Sequence, residues 1–493
     1  MSISSWKDYQ KQHSLIRSED GKLRYADVTR LVLVLPPELV STVFTFCLPD
    51  DEFIYPDPCA APLVLLQICT RWRWIAITTP ALWTSLYIDF DCFHNGRDDV
   101  DVLLCDWISR SGSLPLSIKI ADDFAIFQHR LNKRQMKAVF GMVGKHSARW
   151  QDMCFVLYPE HSAFLFPVSG DFPVLRKLIV ECQPDAAPGS VYPSRALDGA
   201  YMLRELRFHT LRWPDLAMPW NSVELYCSDD IGVSASLDVL RNGINLIKCS
   251  LSLVHEPPRS SASLPPRASL QELTLVECAN DPTESLLSMN LLRNLTLPSL
   301  KHLTLKFHDA SGRPSVDVRE FVSFVTRSSI QLESLTLCLV PGPVQTVILC
   351  LRCLPSLVTL RLQPHRSMTL FLAELAKTSD VGGVQFLPRL ESLHLVKPAR
   401  RRWNDHVASE IMLRMLSSRW DSRLGGSRTH LRTVHFNHAG ADVTDTFTAL
   451  VTSHPTFERL QEAGMTLVFG KSPCQYLCET KWWVEGKKGG VVE

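Results

Sequence analysis

Four short constellations in this chain hold residue types that can do chemistry. Gly464 to Ser472 (GMTLVFGKS) has the glycines, lysine and serine of a phosphate-cradling loop. It carries one residue too many between the glycines, and its interior MTLVF reads as a strand, which cannot wrap N–H groups round a phosphate. Cys350 and Cys353 form a CxxC and Cys474 and Cys478 a CxxxC, the start of a zinc site. Neither has a second pair or a histidine at finger spacing, so buried or incidental thiols are the expectation. His435 and His438 sit three apart on a strand and its exit, where side chains reach opposite faces or different depths. No nucleophile elbow, paired-carboxylate motif or dinucleotide-binding glycine loop occurs. The residue types therefore point away from an enzyme and from any metal or cofactor.

Composition narrows the classes further. The 493 residues suit two to four domains unless a repeat array extends one of them, and 45% hydrophobic residues can bury a large core. With 52 basic against 51 acidic side chains, nothing in the bulk charge asks for nucleic acid or an anionic membrane. MSISSWKDYQKQ lacks the layout of a secretory signal, and no apolar run approaches the roughly 18 residues of a membrane span. The chain reads as intracellular, cytoplasmic and/or nuclear; KPARRR (Lys397 to Arg402) fits either an import signal or a solvated loop. Asn294, in NLT, is a glycosylation acceptor only on a secretory route. Fifteen cysteines, scattered singly and mostly in apolar runs (Cys69, Cys249, Cys338), indicate a reducing compartment.

The elements begin after a polar arm, residues 1–30, that fits a frayed helix or a disordered segment. Pro36 and Pro37 preset a helix entry, and Glu38 favours its positive end. Leu39, Val40, Val43, Phe44 and Cys47 recur at steps of three and four, predicting one buried stripe until Pro49. Leu65, Ile68, Cys69, Trp72, Ile75 and Ala76 repeat that spacing in a second helix ending at Thr78, Thr79 and Pro80. Helices this short need a neighbour, which could be the core of an ordinary α domain or a partner.

Leu35, Pro36, Glu38, Leu39, Val43, Phe44, Cys47, Leu48 and Pro49, then Cys69, Trp72, Ile75 and Trp83, follow LPxELxxxVF, CLP, CxxWxxI and LW. This pattern resembles an F-box, and more narrowly the F-box-like segment of fungal F-box proteins, over about a tenth of the chain. The insert EFIYPDPCAAP (Glu52 to Pro62), which fungal members also show, narrows the family. The resemblance implies docking on the Skp-type adaptor of a cullin–RING ubiquitin ligase. The adaptor-facing set is then Leu35, Pro36, Leu39, Val43 and Phe44, while Trp72 and Trp83 are candidates to turn inward.

Beyond Trp83 the order strand (LWTSLYIDF), helix (Asp98 to Arg110) and strand (SGSLPLSIKIA) suggests a right-handed crossover with parallel pairing. An LxxLxL pattern then recurs at Leu175, Leu203, Leu270, Leu300, Leu332, Leu357, Leu390 and Leu431. Degenerate copies start at Trp150, Leu246 and Trp220. Steps of about 17 to 41 residues bracket the roughly 20–29 of a leucine-rich repeat. The last two apolar positions share one strand face and enter a stacked core, while the first sits at the turn into the strand. Helices are predicted between strands, as at Val316 to Thr326, Val344 to Leu354 and Asp405 to Ser417. The regular repeat's Asn or Cys past the strand is represented only by Cys278 and Asn437, so the array should be irregular. Leucine-rich helices would be the other source of LxxLxL, but β-branched and aromatic residues at the strand positions favour strands.

The expected fold is thus α/β: an N-terminal helical F-box (31–90), an irregular leucine-rich-repeat-like solenoid with a parallel sheet (91–470), and a tail or cap (471–493). Residues flanking the core pair of each strand should line one exposed, concave face. They are Lys177, Glu205, Arg207, His209, Glu272, Thr274, His302, Thr304, Lys306, Arg361 and His394, either a target-binding surface or ordinary solvated positions. An F-box joined to such an array resembles the substrate receptor of an SCF-type ligase, which catalyses nothing and binds adaptor, cullin through it, and an unknown target. Two rivals remain: a scaffold that binds the adaptor without degradation, and a plain repeat-type binding module whose N-terminal helices are only a cap.

Overall fold

The computed structural model describes residues 35–89, 99–121, 133–157, 171–182, 197, 199–209, 219–255, 264–277, 286–307, 315–364, 368–377, 385–397, 405–420, 431–438 and 446–470. The polar arm, the tail with Cys474 and Cys478, Cys278 and all of KPARRR but Lys397 lie outside the described residues. The described residues hold thirteen α-helices and fourteen strands, and the order of strands in the sheet is the order of the chain. Two compact units divide the chain, Met1–Ile88 with Phe93–Ile118, and Asp89–Cys92 with Lys119–Glu493.

The first unit contains α1 (Pro37–Phe46), α2 (Leu65–Ile68), α3 (Thr70–Ile77), a 3-10 turn (Pro80–Trp83), all of β1 (Ser85–Asp89) but its last residue, α4 (Asp99–Arg110) and the start of β2 (Leu116–Ala121). Pro36 caps α1 in an extended conformation and Pro37 occupies its first turn, as the missing proline N–H allows. The single second helix expected from Leu65 to Ala76 is two helices. Cys69 is extended between them (φ −158°, ψ 168°) and its Sγ accepts from the Trp72 amide at 3.4 Å, capping α3. Arg73 Nε donates to the Leu66 carbonyl at 2.7 Å, covering an acceptor that the break leaves free.

Trp83 is fully buried and meets Trp107 of α4 edge-on, with ring centroids 4.9 Å apart. Its indole N–H donates to Ala76 O at 2.8 Å, and that of Trp107 to Ser85 O at 3.0 Å. The Arg110 guanidinium lies 4.7 Å over the Trp83 ring. This cluster ties α4 to the N-terminal helices, so the compact unit runs past the boundary at residue 90 that the sequence suggests.

In the second unit, after α5 (Lys133–Gly144), come β3 (Trp150–Leu157), β4 (Lys177–Cys182), β5 (Glu205–His209), β6 (Leu225–Ile231), α6 (Val233–Asn242), β7 (Lys248–Leu253), β8 (Glu272–Glu277), α7 (Leu287–Arg293) and β9 (His302–Phe307). There follow α8 (Val318–Ser328), β10 (Ser334–Val340), α9 (Val344–Arg352), β11 (Thr359–Pro364), α10 (Thr369–Ala376), β12 (Ser392–Lys397), α11 (Asp405–Trp420), β13 (Thr433–His438), α12 (Thr446–Thr452), α13 (Pro455–Glu462) and β14 (Thr466–Gly470). Every neighbouring pair from β3 to β14 is parallel. The helix predicted at Val316 begins at Val318 because the Asp317 carboxylate caps it, accepting from the Arg319 amide at 2.8 Å.

In all eight LxxLxL copies the three apolar positions are buried. The first closes a turn into its strand, as the amides of Leu175, Leu203, Leu300, Leu357 and Leu390 donate to the carbonyl three residues back. At the strand entry the backbone links one repeat to the next. From Arg204 to Thr466, ten successive amides each donate to the matching carbonyl of the preceding repeat, at 2.8–2.9 Å.

One copy is out of register with its reading. Trp220, Val223 and Leu225 are not the core triplet; Val223, Tyr226 and Ser228 are, since Tyr226 pairs with Leu206 and Cys249, and Ser228 with Phe208 and Leu251. Leu225 consequently belongs to the opposite face. A tyrosine and a serine in place of two leucines hid the copy. The Tyr226 and Ser228 hydroxyls interact, and burial raises the tyrosine pKa well above its ordinary value.

Candidate functional site

Two surfaces hold the predicted site residues, one in each unit. On α1, Leu39 is 53% exposed, Val43 51% and Phe46 84%, at the i, i+4, i+7 spacing of one helical stripe. Phe44 is 1% exposed, its ring 4.9 Å from that of Trp72, and Val40 is buried beside it in the sequence repeat. The expected single stripe is therefore two: Val40 and Phe44 face inward, while Leu39, Val43 and Phe46 face out. Phe44 is corrected from an adaptor-facing residue to a support for that outer row. Pro36 is exposed and Leu35 half-buried, with the Leu35 carbonyl accepting from Arg71 at 2.7 Å. Ile68, Trp74 and Ile77 are also exposed on α2 and α3. Phe46, Trp74 and Ile77 are the members that the stripe assignment misses; each is offset from the inward residues, a signal present in the spacing but outranked by the Phe44 match.

In the second unit the predicted target residues share the sheet face opposite the leucines. Parallel pairing aligns Lys177 with Glu205 and Glu272 with His302, and a central row runs Arg207, Cys227, Ser250, Thr274, Thr304, Thr336, Arg361, His394 and His435. Lys306 lies one step further along β9, opposite Val276 and Cys338. Two members are corrected from exposed to buried. His209 donates or accepts at Nδ1 with Asp229 Oδ2, 2.6 Å away, where β6 shifts register and Asp230 takes a left-handed conformation. Thr274 is buried in the row between buried Ser250 and Thr304.

Charge on this face changes along the sheet. Glu205 holds both Arg207 (2.6 Å) and Lys177 (3.7 Å), and Lys248 meets Glu272 at 2.8 Å. From β9 to β13 the described outer-face residues include no carboxylate. There His394 and His435 stack, with centroids 4.5 Å apart and planes 10° from parallel, and Ser392 Oγ lies 3.1 Å from His394 Nε2. Lys248, Thr336 and His435 occupy the same offset as the predicted residues in their own repeats, so uniform use of the pattern finds them; Cys227 and Asp229 were hidden by the β6 register.

Cys227, His209 and Asp229 are the types of a thiol nucleophile with its base and orienting carboxylate. Burial, outweighing the nearby Arg207, pushes the Cys227 thiol up to about 12, so it is no thiolate at neutral pH. The Cys350 thiol is likewise raised to about 12 by burial, and Cys353 Sγ donates to the Cys350 carbonyl at 2.8 Å. Gly464 to Ser472 contains β14, paired with β13 in the sheet. Among the described residues no three His, Cys, Asp or Glu side chains converge as a metal site requires.

Burial first, then His435 and Arg361, lower the His394 pKa to about 4. The unfolded chain binds that proton near its ordinary value of 6.5, so stability should fall as pH drops from about 6.5 to about 4. Thermal melts across this window should show a shallower acid loss in His394→Asn than in the wild type.

No helix among the described residues is long and apolar enough to cross a membrane. No protein-family model matches the chain, and no curated protein matches it in sequence.

Proposed function

We propose that the chain is a substrate-receptor subunit of an SCF-type cullin–RING ubiquitin ligase, docking on a Skp-type adaptor through an F-box-like α1–α3 and holding a target protein on the outer face of a leucine-rich-repeat-like sheet. The carrying observation is the outward row Leu39, Val43 and Phe46. A ten-residue helix has no need of a second apolar stripe when Val40 and Phe44 already anchor it, and contiguous exposed apolar side chains mark a partner site. Each buried on docking contributes roughly 1.5–3 kcal/mol. Such a subunit works by proximity, bringing the target to the ubiquitin-charged enzyme, and performs no chemistry itself. A terminal cap would present a polar outward face, which disfavours the reading in which these helices only close an array.

Affinity purification of the full chain from a eukaryotic extract tests this, comparing wild type with Leu39→Glu/Val43→Glu. Adaptor and cullin should accompany the wild type and be lost, by more than about tenfold, from the double variant. Their absence from both samples, or equal recovery in both, would reject the adaptor reading. Ubiquitination of a co-purifying target by the reconstituted complex then separates a receptor from a non-degradative scaffold.

A further inference from the structure

We propose that the outer face of β9–β13, centred on Arg361, binds the carboxylate side chains of an acidic, unmodified segment of a partner protein. This deepens the reading of that face as a target surface and is independent of the adaptor. The first observation is the change in charge balance. From β4 to β8 each cation of the face has a carboxylate: Lys177 and Arg207 on Glu205, Lys248 on Glu272. From β9 to β13 the described residues of the face offer the Arg361 guanidinium, imidazoles and hydroxyls and no acid. Arg361 is exposed at the centre, between Thr336 on one side and His394 on the other.

The second observation is the stacked pair His394 and His435, which continues the row from Arg361. The groups facing the pair are Arg361 from β11, Ser392 within β12, and Thr466 and Val468 from β14, none of them acidic. Burial and Arg361 lower both imidazole pKa values, so the pair is neutral in the free protein. A bound carboxylate reverses that balance, raising the pKa of the imidazole beside it. The complex therefore takes up a proton, and by linkage binding strengthens as pH falls.

The chemistry favours a carboxylate over a phosphate or nucleic acid. A guanidinium forks onto a single carboxylate with two parallel hydrogen bonds. A phosphate dianion needs more fixed charge than one arginine beside two neutral imidazoles, and nucleic acid binding requires several cations spaced along a backbone. Neighbouring strands are about 4.8 Å apart, so the row from Thr304 to His435 spans an extended peptide crossing the sheet.

The test uses the full chain and a fluorescein-labelled octapeptide of alternating glutamate and glycine, read by anisotropy. The wild type should bind it, and Arg361→Ala should weaken binding at least about tenfold with an unchanged melting curve. Affinity should rise between about pH 7.5 and about pH 5.5 in the wild type and stay flat in His394→Asn/His435→Asn. Equal affinity for the glutamine–glycine peptide, or no loss in Arg361→Ala, would overturn the proposal. So would tighter binding of a phosphoserine–glycine peptide or a single-stranded DNA octamer. Because adaptor capture plays no part in the readout, failure here leaves the adaptor reading standing, and the reverse.

Discussion

Truncating Phe44 to alanine should destabilise the first compact unit by about 3–5 kcal/mol, whereas Val43→Ala, one residue away, should stay within about 0.5 kcal/mol. The difference follows from direction alone. Phe44 is buried with its ring against Trp72, so its removal leaves a cavity walled by an indole and by Val40. Val43 is half exposed, and its replacement removes a β-branch that favours no helix. Trp72 beside the cavity supplies a fluorescence signal for denaturant unfolding, and hydrogen exchange in α1–α3 reports the unit by itself. The pair also separates two ways of losing a partner. Phe44→Ala loses it by melting the helices that carry the outer row, and Val43→Glu by spoiling the row on an intact fold. Equal destabilisation by Phe44→Ala and Val43→Ala would reject the inward and outward assignment.

That assignment marks where the sequence stops being legible. Spacing shows that α1 is a helix, and Pro36, Pro37 and Pro49 bound it; but five apolar residues in ten wrap more than one face, and periodicity has no means of choosing which stripe meets the protein. Cys69 poses a similar problem. Its apolar neighbours continue a helical period through it, and only the capping of Trp72 N by its thiol reveals the break. The repeat sheet was far more legible, because each LxxLxL copy combines a turn, a strand and a common core direction. Only the copy at Val223 escaped, where Tyr226 and Ser228 meet the same geometric demand with hydroxyls satisfied inside. Correcting it gives steps of 20 residues from Leu203 and 23 to Leu246, which removes the shortest interval in the array. On the outer face, the pattern named which residues share a surface but not their partners, since pairings such as His209 with Asp229 join strands about twenty residues apart through a register shift.

The largest effect expected in the second unit comes from a residue with no repeat signature. Arg419, on the last turn of α11, is buried, and its guanidinium donates to the carbonyls of Leu375 (2.8 Å), Leu387 (3.2 Å) and Phe386. It thereby joins the end of α10 to the turn that leads into β12, where Leu387 adopts a left-handed backbone. Burial lowers its pKa to about 10, so it is a cation at neutral pH, held by oriented carbonyls. Arg419→Ala should cost about 3–5 kcal/mol, since three acceptors lose their donor in a site already withdrawn from water. Arg419→Met keeps most of the volume yet restores no donor, so it should remain within about 1 kcal/mol of the alanine variant. Arg419→Lys keeps the charge but replaces a planar fork with a point donor, and should recover less than half of the loss. Chemical denaturation of the three variants orders these terms: if methionine recovers more than lysine, packing outweighs the hydrogen bonds, and the bridge between α10 and β12 is not what Arg419 supplies.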